Sequence, residues 1–317
     1  MNKSVVEVSG LTRRFGARTA LSSVDLSMAR GAVYGLVGAN GAGKTTLIKH
    51  LLGLLRAESG SVRVFGLDPV ADPVGVLSRI GYLSEENDVP GWMSVDELIR
   101  YSRAFYPAWD DVYCEELRQA FALDLAAKVK SLSKGQKARA GLLIALAHRP
   151  ELLVLDEPSS GLDPIVRRDI LGAVLRTIAH EGRTVLFSSH LLEEVEQVAD
   201  HVTMIQQGRI TLSAPLDEIK QSHRFVTVRF AASRPRPPAV AGVLSWDAAD
   251  DAGQEWTAIY RGRSDELRAA VEAWKDARIV GEGVASLDQI FVALALGHGH
   301  GHKGTDAAAA AAPPTEP

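Results

Sequence analysis

Gly38-Ala39-Asn40-Gly41-Ala42-Gly43-Lys44-Thr45 constrains this chain more than any other stretch. Its spacing is G-x-x-x-x-G-K-T. A continuous apolar run, Val33–Val37, leads into it, and a helix-like stretch, Thr45–Leu55, follows. Strand, glycine turn and helix in that order predict a parallel α/β core. They also predict a loop whose backbone N–H groups wrap a phosphate chain, with the helix start adding positive potential. In such a loop Lys44 reaches the β- and γ-phosphates, and the Thr45 hydroxyl binds Mg²⁺.

Other runs extend this core. Val5–Val8 is β-branched, and Val24, Leu26 and Met28 alternate with polar neighbours, as in a half-buried strand. Leu152–Leu155 and Thr184–Phe187 read as buried strands, and each ends in chemically loaded residues. Ligands of open α/β sheets gather at the carboxyl ends of strands. Strands ending at Gly38, Asp156 and Ser188 are therefore expected to build one site.

The first of these later strands ends in two adjacent acids, Asp156 and Glu157. A solvated strand end explains one acid better than two. Asp156 suits Mg²⁺, and Glu157 suits an attacking water as general base or polariser. Ser188-Ser189-His190 closes the second strand. A lone histidine is ordinarily structural, but behind these two motifs His190 is placed to contact the γ-phosphate and hold the water in line.

Between the strands, 94–149 reads as mostly helical, with Ser94 and Glu97 forming a capping-box pattern. Within it, Leu132-Ser133-Lys134-Gly135-Gln136 precedes a helical run, Lys137–His148. Serine and glycine before a helix start form a second anion-binding arrangement. One nucleotide needs one phosphate loop, so this turn is expected to serve a nucleotide held by another subunit. The competing reading is an ordinary helix cap.

Near residue 220 the character changes. Val226, Val228 and Phe230 alternate as a strand, Ser233–Pro238 is a loop, and Trp256–Tyr260 is a further strand. A helix is expected over Asp265–Ala277, with Leu267, Val271 and Trp274 on one face. Ser286 and Gln289 cap another. The domains expected are 1–221, containing a helical subdomain over about 85–150, and a small α/β domain over 222–296. The remainder, 297–317, is low in complexity and expected to be unordered. His298, His300 and His302 alternate with glycine there. Three such imidazoles could collect a transition metal, but the segment offers no supporting shell. The favoured reading is a flexible tail with incidental histidines.

Length and composition bound the partners. A chain of 317 residues suggests about two domains. A net charge of −4 is too mild to argue for nucleic acid or an anionic membrane surface. Cys114 is the only cysteine, so an internal disulfide is impossible and a reducing compartment fits. No signal-like apolar region is seen at the N-terminus, and no run approaches 18 apolar residues, so the chain is not expected to span a membrane itself.

In combination, the motifs resemble ABC-type ATPases over roughly residues 3–220. The carriers are Gly38–Thr45, Leu132–Gln136, Leu152–Glu157, Ser160-Gly161-Leu162-Asp163 and His190. The single nucleotide domain, the stretch Phe105–Asp110 (FYPAWD), the LSKGQ wording and the C-terminal appendage resemble the detached ATP-binding subunits of bacterial ABC-2-type exporters. The fold implied is a P-loop α/β core with a helical subdomain and a small C-terminal α/β appendage.

The activity implied is ATP hydrolysis coupled to transport, with ATP and Mg²⁺ as cofactors. Glu157, His190 and Lys44 are the catalytic candidates. Nucleotide contacts are implied for Phe15, stacking on adenine, and for Gly38, Asn40, Gly41, Ala42, Gly43, Lys44, Thr45 and Thr46. Ser133, Gly135, Gln136 and Asp163 are implied to act across a head-to-tail pair. Thr45, Asp156 and Glu85 are the metal candidates. The partners implied are a second ABC subunit and separate transmembrane permease subunits, which place the chain peripherally at the cytoplasmic face. No direct nucleic-acid contact is expected.

Two residues depart from the family pattern. Glu85 follows Ile80-Gly81-Tyr82-Leu83-Ser84 where glutamine is usual, and Lys134 stands where glycine is common. A positive φ there would disfavour lysine. Otherwise Lys134 is expected to face solvent or to strengthen the pull on an opposing phosphate, the first being preferred. The alternatives in function are a soluble ABC ATPase acting on nucleic acid or ribosomes, and a regulatory ATP-binding module. One nucleotide domain and no basic tract argue against the first. Intact Lys44, Asp156, Glu157 and His190 argue against the second.

Overall fold

The computed structural model describes residues 4–86, 89–262 and 264–299. The chain divides into two compact units, Met1–Leu216 and Asp217–Pro317. The first opens with β1 (Ser4–Phe15) and β2 (Arg18–Ala29), an antiparallel hairpin whose tip places Phe15 opposite Arg18. β3 (Val33–Val37) and α1 (Lys44–Leu51) flank the glycine loop, and β4 (Ser59–Val64) pairs antiparallel with β1. The expected helix over Thr45–Leu55 stops early. Gly53 takes φ +71°, and Leu54 N–H donates to Lys49 O, so the last carbonyls are satisfied by a left-handed cap.

A short helix, α2 (Pro73–Leu77), then leads to β5 (Ile80–Leu83). Helices fill the next segment: α3 (Val95–Arg103), α4 (Asp111–Ala120), a 3₁₀ turn at Val129–Ser131 and α5 (Lys134–Ala147). The FYPAWD stretch joins α3 to α4. Its Tyr106 stacks on His148 at 3.8 Å, and Asp110 caps α4 through Tyr113 N–H while pairing with Arg149 at 2.6 Å. Cys114 is buried in α4. Burial, followed by Asp111 and Glu115, pushes its thiol up to about 11.

The unit continues through β6 (Leu152–Asp156), α6 (Pro164–Glu181), β7 (Thr184–Ser189), α7 (Leu192–Val198), β8 (His201–Gln206) and β9 (Arg209–Pro215). The strand order of the large sheet is β5-β6-β7-β3-β8-β9, parallel except for β9. Every residue of β3, β6 and β7 is buried, as a sheet covered on both faces requires. α1 packs between this sheet and the separate antiparallel sheet β2-β1-β4. Leu47, Ile48 and Leu51 are wholly buried there, each worth about 1.5–3 kcal/mol of transfer free energy. Of this layer, β1 and β2 contain the expected runs Val5–Val8 and Val24–Met28, while β4, polar and mostly exposed along its length, has no counterpart among the expected strands.

The register fixes the site. Val37 lies beside Ser189, and Asp156 lies beside Ser188, so β3, β7 and β6 end together.

In the second unit, which α8 (Leu216–Ser222) leads into, β10 (His223–Phe230), β11 (Val243–Ala248), β12 (Glu255–Arg261) and β13 (Ala277–Val284) form an antiparallel sheet. Its order is β11-β12-β10-β13. Val226, Val228 and Phe230 meet Leu267 and Val271 of α9 (Ser264–Ala273) in one core. α9 ends before the expected Ala277, because that residue pairs with Phe230 at the start of β13. Ser286 and Gln289 form the capping box of α10 (Leu287–Gly299). That helix runs three residues past 296. His300, His302 and the rest of the tail lie outside the described residues. Among the described residues no helix is long and apolar enough to cross a membrane.

Candidate active site

A cleft of about 480 Å³ opens at the carboxyl ends of these strands. Phe15, Arg18 and Ala20 of the hairpin form one wall. Asn40, Gly41, Gly43, Lys44, Thr45 and Thr46 form the floor, and Glu85 and Glu157 close the far side. Gly38 and Ala42 shape the loop from beneath without lining the cleft. A Cβ on Gly38 would stand 2.4 Å from Ile205 O, so only glycine lets the loop cross β8. Gly43 takes φ +118°, and its Cβ would meet Ala20 O at 2.8 Å. No side chain caps α1, so its first N–H groups are left for an anion.

Lys44 is buried and donates to Gly38 O at 2.6 Å and to Ala39 O at 3.3 Å. Its Nζ also lies 3.0 Å from Glu157 Oε1. Glu157 is 4% exposed and sits at φ +50°, an uncommon conformation for a non-glycine residue. Its Oε2 meets His190 Nδ1 at 2.6 Å. Its Oε1 is buried and accepts no hydrogen bond, the Lys44 contact notwithstanding. The three catalytic candidates thus form one continuous chain, with an unfilled acceptor at its centre.

Ser188 ties the two acids of β6 to β7. Its hydroxyl donates to Asp156 Oδ1 at 2.7 Å and accepts from Glu157 N–H at 3.0 Å. Asp156 is 1% exposed. Beside it on β5, burial, then Asp156 and Glu86, push the Tyr82 hydroxyl up to about 12. The donor set Thr45 hydroxyl, Asp156 carboxylate and Glu85 carboxylate is all hard oxygen, which suits Mg²⁺. Thr45, Glu85 and Glu157 line the one cleft, with Asp156 buried behind it, and Glu157 Oε1 is a buried acceptor left unfilled, so the residues present fit the ion.

Ser133, Gly135, Gln136 and Asp163 lie outside this cleft. Ser133 and Gln136 make a reciprocal capping box at the start of α5, and Asp163 Oδ1 accepts from Ile165 and Val166 N–H at the start of α6. Lys134 is the first residue of α5, with ordinary helical backbone, so lysine meets no steric objection there. Lys134 is exposed, as the preferred reading of a solvent-facing lysine has it. Its Nζ also lies where a Cβ on Gly161 would be 2.5 Å away, against the Ser160–Asp163 loop. Glu85, Glu86, Lys134 and Lys137 line one small hollow, so the two departures from the family pattern adjoin each other with opposite charge.

Arg18 is a site residue that the sequence reading lacks. From the hairpin it donates to Gly41 O of the glycine loop at 3.0 Å. The signal was its place at a two-residue turn after Phe15, legible only once β1 and β2 are paired.

Residues 21–160 match the sequence profile of the family described as ABC transporter. The bacitracin transport ATP-binding protein BcrA of Bacillus licheniformis is 33% identical over 226 residues, spanning 70% of this chain and 73% of that protein. The daunorubicin resistance ATP-binding protein DrrA3 of Streptomyces coeruleorubidus is 33% identical over 93% of this chain and 96% of its own length. Among solved structures, an ATP-binding subunit of an ABC transporter superposes with a TM-score of 0.63 at 27% identity, over 68% of this chain and 92% of that one.

Proposed function

The chain belongs to the ATP-binding proteins of ABC transporters, and from that premise we propose that Lys44, Glu157 and His190 are the hydrolytic centre of its ATPase motor. The observation that carries the reading is the chain of contacts through Glu157, with Lys44 at 3.0 Å on one oxygen and His190 at 2.6 Å on the other. Nucleotide phosphates entering the glycine loop compete with Glu157 for the Lys44 ammonium. Once Lys44 turns to the phosphates, Glu157 Oε1 is free to accept a proton from the attacking water. His190 holds the opposite carboxylate oxygen and so fixes the direction in which Glu157 points.

Thr45, Asp156 and Glu85 are the residues that would hold Mg²⁺, which would supply neutralisation of phosphate charge there. Phe15, 47% exposed at the hairpin tip, offers a face for the adenine ring. Ser133, Gln136 and Asp163 are exposed, and with Gly135 they are positioned to meet nucleotide held by a second subunit, arranged head to tail. ATP contacting both halves favours the closed pair, and loss of those contacts after hydrolysis reopens it. The helical segment over about 85–150 passes that movement to separate permease subunits, which hold the chain at the cytoplasmic face of the membrane. The relatives named for bacitracin transport and daunorubicin resistance favour export as the direction.

Glu157→Gln tests the centre. It should bind ATP with wild-type affinity and lose at least about a hundredfold in turnover. Near wild-type hydrolysis in that variant would remove Glu157 from the mechanism.

A further inference from the structure

A second buried carboxylate stands behind the hydrolytic pair. Glu194, on α7, is 3% exposed. Its Oε2 accepts from Ser159 Oγ at 2.6 Å and from Ser189 Oγ at 3.1 Å. Its Oε1 lies 2.8 Å from Arg167 Nε on α6, an ion pair without hydrogen-bond geometry. Ser159 is two residues beyond Glu157, and Ser189 immediately precedes His190. Both serines are buried, so each hydroxyl needs a partner within the protein. Ser189 Oγ also accepts from Leu191 N–H at 3.0 Å, which fixes the turn carrying His190.

We propose that Glu194 is a positioning residue for ATP hydrolysis, binding the segments after Glu157 and before His190 to one another and to the helix that follows the Ser160–Asp163 loop. The geometry is that of a clamp. One carboxylate oxygen bridges the two segments whose side chains meet at 2.6 Å, in addition to the Ser188 bonds between β6 and β7. The other oxygen ties that bridge to Arg167, four residues after Asp163. A shift of the Ser160–Asp163 loop on engagement by a second subunit reaches the Glu157 side through the loop's own backbone bonds to Glu157 and Ser159, and Glu194 couples it to the segment carrying His190. Glu194 touches neither nucleotide nor water in this arrangement. Its effect is on the placement of groups that do, and a displacement of about 1 Å at a reacting group lowers rates by about a hundredfold.

The inference rests on Glu157 and His190 being the hydrolytic pair, so the experiment carries both levels. ATP affinity and kcat are measured for the full chain as wild type, Glu157→Gln, Glu194→Gln, His190→Ala and the double variant Glu194→Gln/His190→Ala. The expected result for Glu194→Gln is ATP affinity within about twofold of wild type and kcat lowered by about a hundredfold. In the His190→Ala background the same substitution should lower kcat by less than about threefold, because residues acting as one unit are not additive. Equal losses in both backgrounds, an unchanged kcat, or affinity weakened in proportion to kcat each overturn the role. Should Glu194→Gln fail to fold, Ser159→Ala and Ser189→Ala replace it. Each should lower kcat by about tenfold with an unchanged melting temperature, and a wild-type kcat in both overturns the role. An active Glu157→Gln defeats the hydrolytic reading itself. An inactive Glu157→Gln beside a fully active Glu194→Gln defeats this inference alone.

Discussion

Acid should weaken the first unit through His148, and the size of the effect follows from where that ring lies. His148 is 2% exposed, stacked on Tyr106, with Nε2 3.1 Å from Ile80 O. Burial lowers its pKa from 6.5 to about 4, opposed in part by hydrogen bonds to backbone. The folded state therefore resists protonation that the unfolded chain accepts. A depressed pKa gives stability that is present above pH 6.5 and is lost as pH falls towards 4. With one pKa unit worth about 1.36 kcal/mol, the loss is about 2 kcal/mol by pH 5 and about 3 kcal/mol by pH 4. The perturbation is His148→Gln, which removes the titrating ring and keeps a donor for Ile80 O. Urea unfolding of both proteins at pH 8, 6.5 and 5 gives the difference in stability at each pH. Groups common to the two proteins, including buried His50, cancel in that difference. Wild type should lose about 2 kcal/mol relative to the variant between pH 8 and pH 5. Parallel pH dependence in the two proteins would refute the assignment of a buried neutral His148.

Further outcomes concern the nucleotide cleft. Lys44→Ala should abolish measurable ATP binding in an isothermal titration, and normal affinity would refute the phosphate-loop reading. Phe15→Ala should weaken ATP binding by about 0.5–1.5 kcal/mol while leaving inorganic triphosphate unaffected, since only the base meets the ring. A double-mutant cycle over Glu85→Gln and Lys134→Gly should give a coupling free energy of about 0.5 kcal/mol or more in unfolding, reflecting their shared hollow. Additive changes would make them independent.

The sequence makes some parts of this site legible and hides others for definite physical reasons. The glycine loop is contiguous, and its flanking strand and helix are local, so Gly38 to Thr45 can be read directly. Glu157 and His190 are readable because buried apolar strands, β6 and β7, lead into them. Arg18 and Ser188 are harder, since each acts through a partner 23 or 32 residues away. Glu194 is one of three glutamates in α7, and nothing local distinguishes the buried one from Glu193 and Glu196. In the fold, β4 is a polar, mostly exposed strand that opens on Ser59-Gly60-Ser61, so its pairing is fixed by neighbours rather than by pattern. The end of α9 shows the same effect in reverse. Helical spacing continues to Trp274, but pairing with β10 draws Ala277 into a strand.

On the proposed function, this ATPase drives membrane subunits carried on other chains. The most direct measurement is to purify the Glu157→Gln variant with ATP from native membranes and identify what accompanies it by mass spectrometry. The slowed turnover should prolong the closed state and with it the contact with partners. One or two polytopic membrane proteins should be recovered in stoichiometric amounts. Recovery only from the soluble fraction, alone or with ribosomal or DNA-repair proteins, would contradict that function and leave the ATPase chemistry without its transporter.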